Sequence, residues 1–384
     1  MRSQTSGNVF LNETQAEAAK PRLMTAELSD RIIVARVICI LAVIYVHMPP
    51  YMMPPPDDPF SVEAVVWMVR EGIGRTSVPL LSVVSGFLTV QLLGSRSWES
   101  QVAKRCWTLL LPLAAWNLIA IGKDLVLDGS GTLPDEEQVL QALFGIVGYP
   151  RITPLYFLRD MFLCALLCPI ALLALRKTML AFLAFLLINS VLNFDGVLFT
   201  NSAIPLFFVL GLAFGSGFLR FDGIDRYRSV LLPLSLLSLG TIASLPFWGS
   251  PAWIVAPENA DPMRALQVAE RFAGAVMFWL LARGLLAFPR FTNLLKAWEK
   301  IIFVVFCSHT FVVGAGWMVL ERTGQTIGSG MHLAYFLTGP LLALAAAFAV
   351  AFILSFVQPR VLQFLAGGRA PTQGEFRAMV PGGR

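Results

Sequence analysis

Long apolar stretches separated by short polar connections run through most of the chain. About ten of these stretches approach 20 residues, the length that an α-helix needs to cross a hydrocarbon layer about 30 Å thick. They cover residues 32–52, 76–94, 106–122, 154–175, 178–194, 200–218, 229–248, 267–288, 300–320 and 334–358. The pattern predicts an all-α integral membrane protein, built as a bundle of about ten transmembrane helices.

Basic residues are concentrated on alternate connections between these stretches. Lys and Arg resist translocation, whereas Asp and Glu contribute little to orientation. With the N-terminus on the cytoplasmic side, the connection that holds Arg96, Lys104 and Arg105 lies inside, and the connection with Asp57 and Asp58 lies outside. An even number of helices then places both termini in the cytoplasm. We therefore expect a multi-pass protein of an inner (cytoplasmic) membrane.

The apolar stretches divide the chain into one membrane domain with a polar segment at each end. Residues 1–29 lack the early apolar run of a cleavable signal peptide, so we expect a cytoplasmic tail there. Residues 30–360 form the predicted transmembrane domain, and residues 361–384 form a second cytoplasmic tail. Residues 140–149 are apolar but too short to span, which favours a re-entrant or interfacial segment. The longer outer connections suit a lid or a substrate-facing rim, and they cover residues 53–75, 123–153 and 249–266.

Composition supports this prediction and excludes several classes of protein. Hydrophobic residues make up 56% of the chain against 14% charged, with a mean hydropathy of +0.69, well above the usual mix of a soluble domain. The net charge of +5 is spread over short connections, which argues against a nucleic-acid-binding patch. The sequence has no GxGxxG, P-loop, HExxH or paired CxxC motif, so redox cofactors, ATP and zinc have no residues to support them.

The five cysteines all fall in apolar stretches, and their odd number argues against a disulfide framework. Cys164 and Cys168 are one helical turn apart, but no His or carboxylate completes a metal shell beside them. Buried packing is therefore the expected role of the cysteines, and no metal site is predicted.

Two of the three histidines, His47 and His309, lie inside predicted helices, where a titratable group is costly. A single histidine in a membrane helix can also serve only as a hydrogen bond between helices. Arg36 precedes His47 by eleven residues, close to three turns, so the two side chains project from nearly the same face about 16 Å apart. Because a cation in lipid is costly, that face should line a polar cavity that reaches across the membrane.

Such a cavity has a fixed positive charge on its inner side and a neutral imidazole on its outer side. This arrangement suits a reaction that takes an anionic donor from the cytoplasm and activates a hydroxyl outside. Acyl transfer is one such reaction, because imidazole can remove a proton from an alcohol as it attacks a thioester carbonyl.

The same residues resemble the membrane-bound acyltransferase family three, whose members O-acylate bacterial surface sugars. Arg36 and His47 in DRIIVARVICILAVIYVH match the signature pair of that family. In GRTSVPLLSVVSGFL, a Ser-Gly-Phe that begins at Ser85 resembles the family's second motif. In PLYFLRDMFL, Arg159 and Asp160 stand where the family has a polar pair. The second and third stretches look most similar to exopolysaccharide succinyl- and acetyltransferases.

A fourth stretch, IIFVVFCSHTFVV, brings His309 to the position of a late-helix histidine of the family. It departs from the family pattern because Cys307 and Ser308 replace the aliphatic pair that usually precedes the histidine. The four stretches follow the family order from residue 30 to about residue 313, so the resemblance covers nearly the whole membrane region.

The resemblance implies an acyl-CoA donor, succinyl-CoA or acetyl-CoA, that enters from the cytoplasm, with no permanently bound cofactor. The implied acceptor is a hydroxyl of an exopolysaccharide or of its lipid-linked oligosaccharide precursor, in contact with membrane lipid and with polysaccharide synthesis machinery. We expect His47 to act as the base, Arg36 to hold a donor phosphate or carbonyl, and Arg159 to pair with the carboxylate of a succinyl donor. Alternatively, Arg159 pairs with Asp160 or extends to the outer surface.

Ser85 has two interpretations as well. A nucleophilic serine would need an adjacent base, and none stands nearby in the sequence, so close helix packing through the Ser-Gly pair is favoured.

Two other classes of function stay open from the sequence. A proton-coupled secondary transporter or flippase for a sugar or small acid would also use buried Arg and His side chains, although the halves of the chain show no inverted symmetry. An accessory subunit of a polysaccharide synthase would have no chemistry of its own, and His47 would then be replaceable without effect.

Overall fold

The computed structural model describes residues 24–51, 53–93, 97–127, 135–194, 196, 198–248 and 260–379. Across these ranges, all regular elements are helical. The α-helices are α1 Ala26–Ile44, α2 Val62–Val69, α3 Val78–Leu93, α4 Trp98–Arg105, α5 Leu111–Leu127, α6 Glu136–Phe144, α7 Tyr156–Leu166, α8 Cys168–Leu192, α9 Ala203–Gly215, α10 Phe221–Arg226, α11 Arg228–Ala243, α12 Leu245–Trp248, α13 Ala260–Leu285, α14 Pro289–Arg322, α15 Gly330–Val357, α16 Pro359–Leu365 and α17 Gln373–Met379. Most of the predicted N-terminal tail and part of the predicted connection 249–266 lie outside the described residues.

The described helices confirm a multi-pass membrane protein. Six helical segments are long and apolar enough to cross a membrane, namely Val62–Leu93, Trp98–Leu127, Cys168–Leu192, Ala260–Leu285, Pro289–Arg322 and Gly330–Val357. Two shorter apolar helices are Ala203–Gly215 and Arg228–Ala243. Large apolar side chains such as Leu237 and Ile353 are exposed on these helices, as a lipid-facing surface requires. The number of ten spans and the cytoplasmic position of both termini stay predictions.

Helix α1 lies inside this bundle although several charges stand in its first half. Thr25 caps its start, because the Thr25 hydroxyl accepts a hydrogen bond from the Leu28 amide at 3.2 Å. The Arg31 side chain is buried and donates to Asp225 at 2.7 and 2.8 Å, and its guanidinium lies 3.8 Å from the Trp279 ring centre. Arg36 pairs with Glu299 at 2.8 Å. Protein groups thus satisfy the charges that would be costly in lipid.

The boundary predicted between the stretches 154–175 and 178–194 has a counterpart in the backbone. Thr178 has non-helical dihedral angles, φ −145° and ψ 46°, inside the segment Cys168–Leu192. A shorter interruption at Leu167 separates α7 from α8, where Pro169 has no backbone N–H to donate.

The predicted outer connection 53–75 contains a helix, and its expected role as a lid or substrate-facing rim stays a prediction. The Ser61 hydroxyl accepts from the Ala64 amide at 3.1 Å and begins α2, which continues into a π-helical turn at Arg70–Gly74. The buried Arg70 side chain donates to the Met48 and Pro50 carbonyl oxygens at 2.9 and 3.0 Å. This helical connection therefore fixes the backbone that follows His47.

Helices α3 and α9 pack at backbone contact. A Cβ atom at Gly86 would lie 2.0 Å from the Phe208 carbonyl oxygen, and one at Gly211 would lie 2.0 Å from the Val83 carbonyl oxygen. Only glycine permits this approach. The Ser-Gly pair at Ser85 therefore contributes close helix packing through its glycine, in agreement with the packing interpretation.

The chain after residue 360, which the sequence predicts as a tail, is folded as far as it is described. The Trp116 indole N–H donates to the Leu365 carbonyl oxygen at 3.0 Å. Phe376 is fully buried, with ring centres 5.6 Å from Phe348 and 5.9 Å from Phe352. These apolar contacts hold the C-terminal segment against α15 and α5, so its side chains can contribute to a site.

Candidate functional site

Two cavities follow one another along α1. The larger has a volume of about 480 Å³, and Arg36 and Ile40 line it from α1. The smaller has a volume of about 80 Å³; Val43 lines it from α1, and His47 lines it from the 3-10 turn Tyr45–His47 that directly follows α1. Helix α3 runs past both cavities, with Ser85 on the larger one. The face that carries Arg36 and His47 therefore borders a cavity at both residues.

The larger cavity is strongly cationic. Four basic side chains line it, and they come from three parts of the chain: Arg36, Lys104, Arg105 and Arg369. Glu299 neutralises part of this charge through its ion pair with Arg36. Burial, together with the charges of Arg36 and Arg105, lowers the pKa of Arg369 to about 10, so this guanidinium is still protonated at neutral pH.

The walls of the larger cavity hold these cations in place and are otherwise largely apolar. Arg105 donates to the Thr89 hydroxyl at 3.0 Å, and Arg369 donates to the Thr108 carbonyl oxygen at 3.3 Å and lies 4.4 Å from the Phe303 ring centre. The remaining lining includes Leu81, Val84, Leu88, Leu92, Phe157 and Phe306. A cavity of this kind fits an anionic group joined to a long, mostly uncharged arm.

The smaller cavity places His47 among polar side chains from distant parts of the sequence. These are Arg75, Tyr156, Asn201 and Arg271. The Asn201 side-chain amide donates to the Tyr156 hydroxyl at 3.4 Å. His47 is half-buried, so its ring can meet a substrate group without full exposure to solvent.

His309 lies beside His47, and their ring centres are 5.4 Å apart. The His309 side chain is fully buried, and its Nδ1 lies 2.8 Å from the Phe306 carbonyl oxygen. Because a carbonyl oxygen only accepts, a neutral ring donates its Nδ1 hydrogen there and keeps a lone pair on Nε2. That Nε2 atom has no hydrogen-bond partner within the described residues. The structure therefore brings the two predicted histidines together, with one acceptor nitrogen unused.

Arg159 and Asp160 form a different unit. Arg159 donates to Asp160 at 3.1 Å and to the Thr200 hydroxyl at 2.7 Å, and Asp160 accepts from the Thr200 and Asn201 amides at 3.2 and 3.0 Å. Arg159 lines neither cavity. The ion pair with Asp160 thus matches the alternative interpretation of Arg159. Through these bonds the pair positions Asn201, which lines the same cavity as His47.

Ser85 lies on the larger cavity, whereas His47 lies on the smaller one. The structure therefore does not supply Ser85 with the base that a nucleophile needs.

Sequence reasoning missed several residues of both cavities. Arg271 stands inside the predicted span 267–288, and a charge within a membrane span is a signal that could have identified it. Arg75 stands inside the second motif stretch, but the sequence does not distinguish it as a residue of the site. The sequence does not indicate a role for Arg369, because this residue lies in a polar segment that is predicted to be a tail.

No three His, Cys, Asp or Glu side chains among the described residues stand close enough to hold a metal ion.

Comparisons with known proteins identify the family of the chain. The sequence model of the acyltransferase domain (acyltransferase 3) matches residues 30–357. The chain is 27% identical over 367 residues to the succinoglycan biosynthesis protein ExoH of Rhizobium meliloti (strain 1021), a match that covers 90% of this chain and 94% of that protein. No solved structure matches the chain.

Proposed function

The chain belongs to the acyltransferase domain family (acyltransferase 3), and from this premise we propose that it is a membrane O-acyltransferase of exopolysaccharide synthesis. It moves an acyl group, succinyl or acetyl, from acyl-CoA to a hydroxyl of a bacterial exopolysaccharide or its lipid-linked precursor. The observation that carries this proposal is the succession of two cavities along α1, a cationic one at Arg36 and a histidine-containing one at His47. Similarity to a succinoglycan biosynthesis protein supports the choice of acceptor class.

The larger cavity receives the donor. Its volume of about 480 Å³ lies in the usual range for pockets that bind small ligands. Arg36, Arg105 and Arg369 attract the phosphates of CoA, since guanidinium groups pair with phosphate oxygens through parallel hydrogen bonds. The uncharged arm of the donor follows the apolar wall toward His47, about 16 Å along the helix from Arg36.

The reaction takes place at His47. Its imidazole accepts the proton of the acceptor hydroxyl as that oxygen attacks the thioester carbonyl carbon. The carbon–sulfur bond then breaks, and the protonated imidazole returns the proton to the departing thiolate, so that an ester and free CoA thiol result. The His309 imidazole lies beside His47. Its Nε2 atom has a free lone pair, which favours a neighbouring group that can donate a hydrogen bond.

The orientation of the chain sets the direction of transfer. With both termini in the cytoplasm and about ten spans, the Arg36 end of α1 faces the cytoplasm and the His47 end faces outward. Acyl-CoA is made inside the cell, and surface polysaccharide is assembled outside the inner membrane. The protein therefore works in the bacterial inner membrane, next to the polysaccharide synthesis machinery.

Purified protein in lipid nanodiscs tests the proposal. We expect release of CoA thiol from acyl-CoA that depends on an added oligosaccharide, and an acylated sugar that mass spectrometry and NMR identify. His47→Gln should lower the rate at which both signals appear by about 10²- to 10⁴-fold. The control is Arg220→Gln, since Arg220 is exposed and lines neither cavity, and it should leave the rate unchanged.

Either of two results would contradict the proposal. One is transfer at the normal rate by His47→Gln that is folded and present at equal amounts. The other is no transfer from any acyl-CoA while reconstituted vesicles accumulate the sugar or small acid under a proton gradient, which would favour the transporter.

A further inference from the structure

The smaller cavity beside His47 contains two guanidinium groups from different helical segments. Arg75 follows the π-helical turn, and Arg271 lies on α13. The rest of the lining is neutral and includes Tyr156 and Asn201. Two cations around a volume of about 80 Å³ are unusual within a membrane bundle, where each charge needs a partner.

Close packing brings the two arginines to the same cavity. Gly274 stands one turn after Arg271 on α13, and a Cβ atom there would lie 2.3 Å from the Thr76 Cβ and 2.6 Å from the Thr76 carbonyl oxygen. Thr76 directly follows Arg75. The missing side chain at Gly274 thus lets α13 approach the turn and places Arg271 opposite Arg75.

The two guanidinium groups differ in their partners. Arg75 is held by Glu71 through two hydrogen bonds of 2.6 and 2.9 Å. Arg271 makes no hydrogen bond or ion pair with any side chain of the described residues. The neighbouring Glu270 is buried but does not line the cavity, and neither does Glu71. Glu270 attracts Arg271 electrostatically from outside the lining, so the Arg271 guanidinium faces a cavity that no carboxylate of the described residues lines.

The proposed reaction determines what occupies this volume. The thioester carbonyl must meet the acceptor hydroxyl at His47, so the remainder of the acyl group falls within the same cavity. A carboxylate at the far end of a short acyl chain would pair with the Arg271 fork, backed by Arg75. An acetyl group has no carboxylate and would leave the Arg271 guanidinium without an ion-pair partner inside the cavity, which is unfavourable.

We propose that Arg271 and Arg75 form a carboxylate subsite for the transferred acyl group, so that the donor is the CoA thioester of a short dicarboxylic acid. This inference rests on the proposed function. During transfer the thioester carbon–sulfur bond breaks and the ester bond forms, while the terminal carboxylate stays ionised in the subsite. An acidic group on the acceptor is the other source of a carboxylate, and the experiment separates the two.

The test compares donors on the nanodisc protein with a neutral oligosaccharide as acceptor. Succinyl-CoA and butyryl-CoA have acyl chains of equal length, and only the first carries a carboxylate. We expect the wild type to prefer succinyl-CoA in kcat/KM by about 10- to 100-fold, the value of one charge-assisted bidentate contact. Arg271→Gln should remove most of this preference and leave the butyryl rate within about threefold, and Arg271→Lys should keep part of it.

Arg264→Gln is the matched control, because Arg264 stands on the same helix and lines neither cavity. Equal use of both donors by the wild type, or an equal loss for both donors in Arg271→Gln, would overturn the subsite while acyl transfer itself persists. Transfer from no donor at all would instead refute the proposed function, and the donor preference with it.

A second arm uses butyryl-CoA with a neutral glucoside or with the corresponding glucuronide. If Arg271→Gln slows only the reaction with the glucuronide, the subsite binds the acceptor, and the assignment to the acyl group is wrong. Equal rates for the two acceptors in wild type and variant support the acyl assignment.

Discussion

The separation of the two cavities predicts a crossed effect of two substitutions, one on α1 and one in the 3-10 turn that follows it. His47→Gln removes the proposed base but leaves the cationic cavity intact, about 16 Å away along the helix. General-base catalysis contributes about 10²- to 10⁴-fold, so kcat should fall by this factor while KM for acyl-CoA stays within about twofold. Arg36→Gln should do the reverse, raising KM for acyl-CoA by about 10- to 100-fold with a smaller effect on kcat.

Glu299 complicates the Arg36 variant and also provides its internal check. In Arg36→Gln, the Glu299 carboxylate loses the partner that lies 2.8 Å away and then repels donor phosphates. The double variant Arg36→Gln/Glu299→Gln should therefore recover part of the lost affinity. Glu299→Gln alone should lower KM, because it frees Arg36 for the donor.

Steady-state thiol release over a range of acyl-CoA concentrations measures both parameters, after equal folding is confirmed by size-exclusion chromatography in detergent. Arg220→Gln is the matched control, since Arg220 is exposed and lines neither cavity. The reasoning fails if His47→Gln changes only KM, if Arg36→Gln changes only kcat, or if Glu299→Gln raises KM.

Three further predictions concern stability and the C-terminal segment. Gly211→Ala forces a Cβ atom to 2.0 Å from a backbone oxygen of α3, so it should destabilise the protein by about 1–3 kcal/mol in thermal unfolding, whereas Gly240→Ala, with no atom within 4 Å, should not. Burial raises the pKa of Asp225, but the two arginines bonded to it lower the pKa by more, so the net pKa is below the ordinary value. The stabilisation that Asp225 contributes should therefore be present above about pH 4 and be lost as the pH falls through the lowered pKa. Asp225→Asn should lower stability at pH 7 by about 1–3 kcal/mol and flatten this acid dependence, and an unchanged profile would contradict the role of the pair. Arg369→Gln should raise KM for acyl-CoA by about 5- to 20-fold with kcat preserved, while the exposed Arg360→Gln should leave both unchanged.

Local pattern was sufficient for the class of the protein, a multi-pass helical membrane protein, and for part of the site. Long apolar runs predict membrane helices even when their packing partners are unknown, since the hydrocarbon layer fixes both the length and the composition of such helices. The fixed period of an α-helix likewise places Arg36 and His47 on one face, and the structure has both of them on cavities. His309 was selected because a titratable group in a membrane span is costly, and it lies beside His47.

The composition of the two cavities was decided by tertiary structure alone. Arg271 reaches His47 because Gly274 lets α13 approach the turn that carries Arg75, and no local pattern states which helices meet. Arg369 enters the donor cavity because Phe376 and the indole of Trp116 fold a polar segment back onto the bundle. Arg159, selected from the sequence for the carboxylate, is held by Asp160 and the turn at Thr200. Sequence thus determines where each helix can lie and which face it presents, whereas the partner of each buried charge depends on packing between residues far apart in the chain.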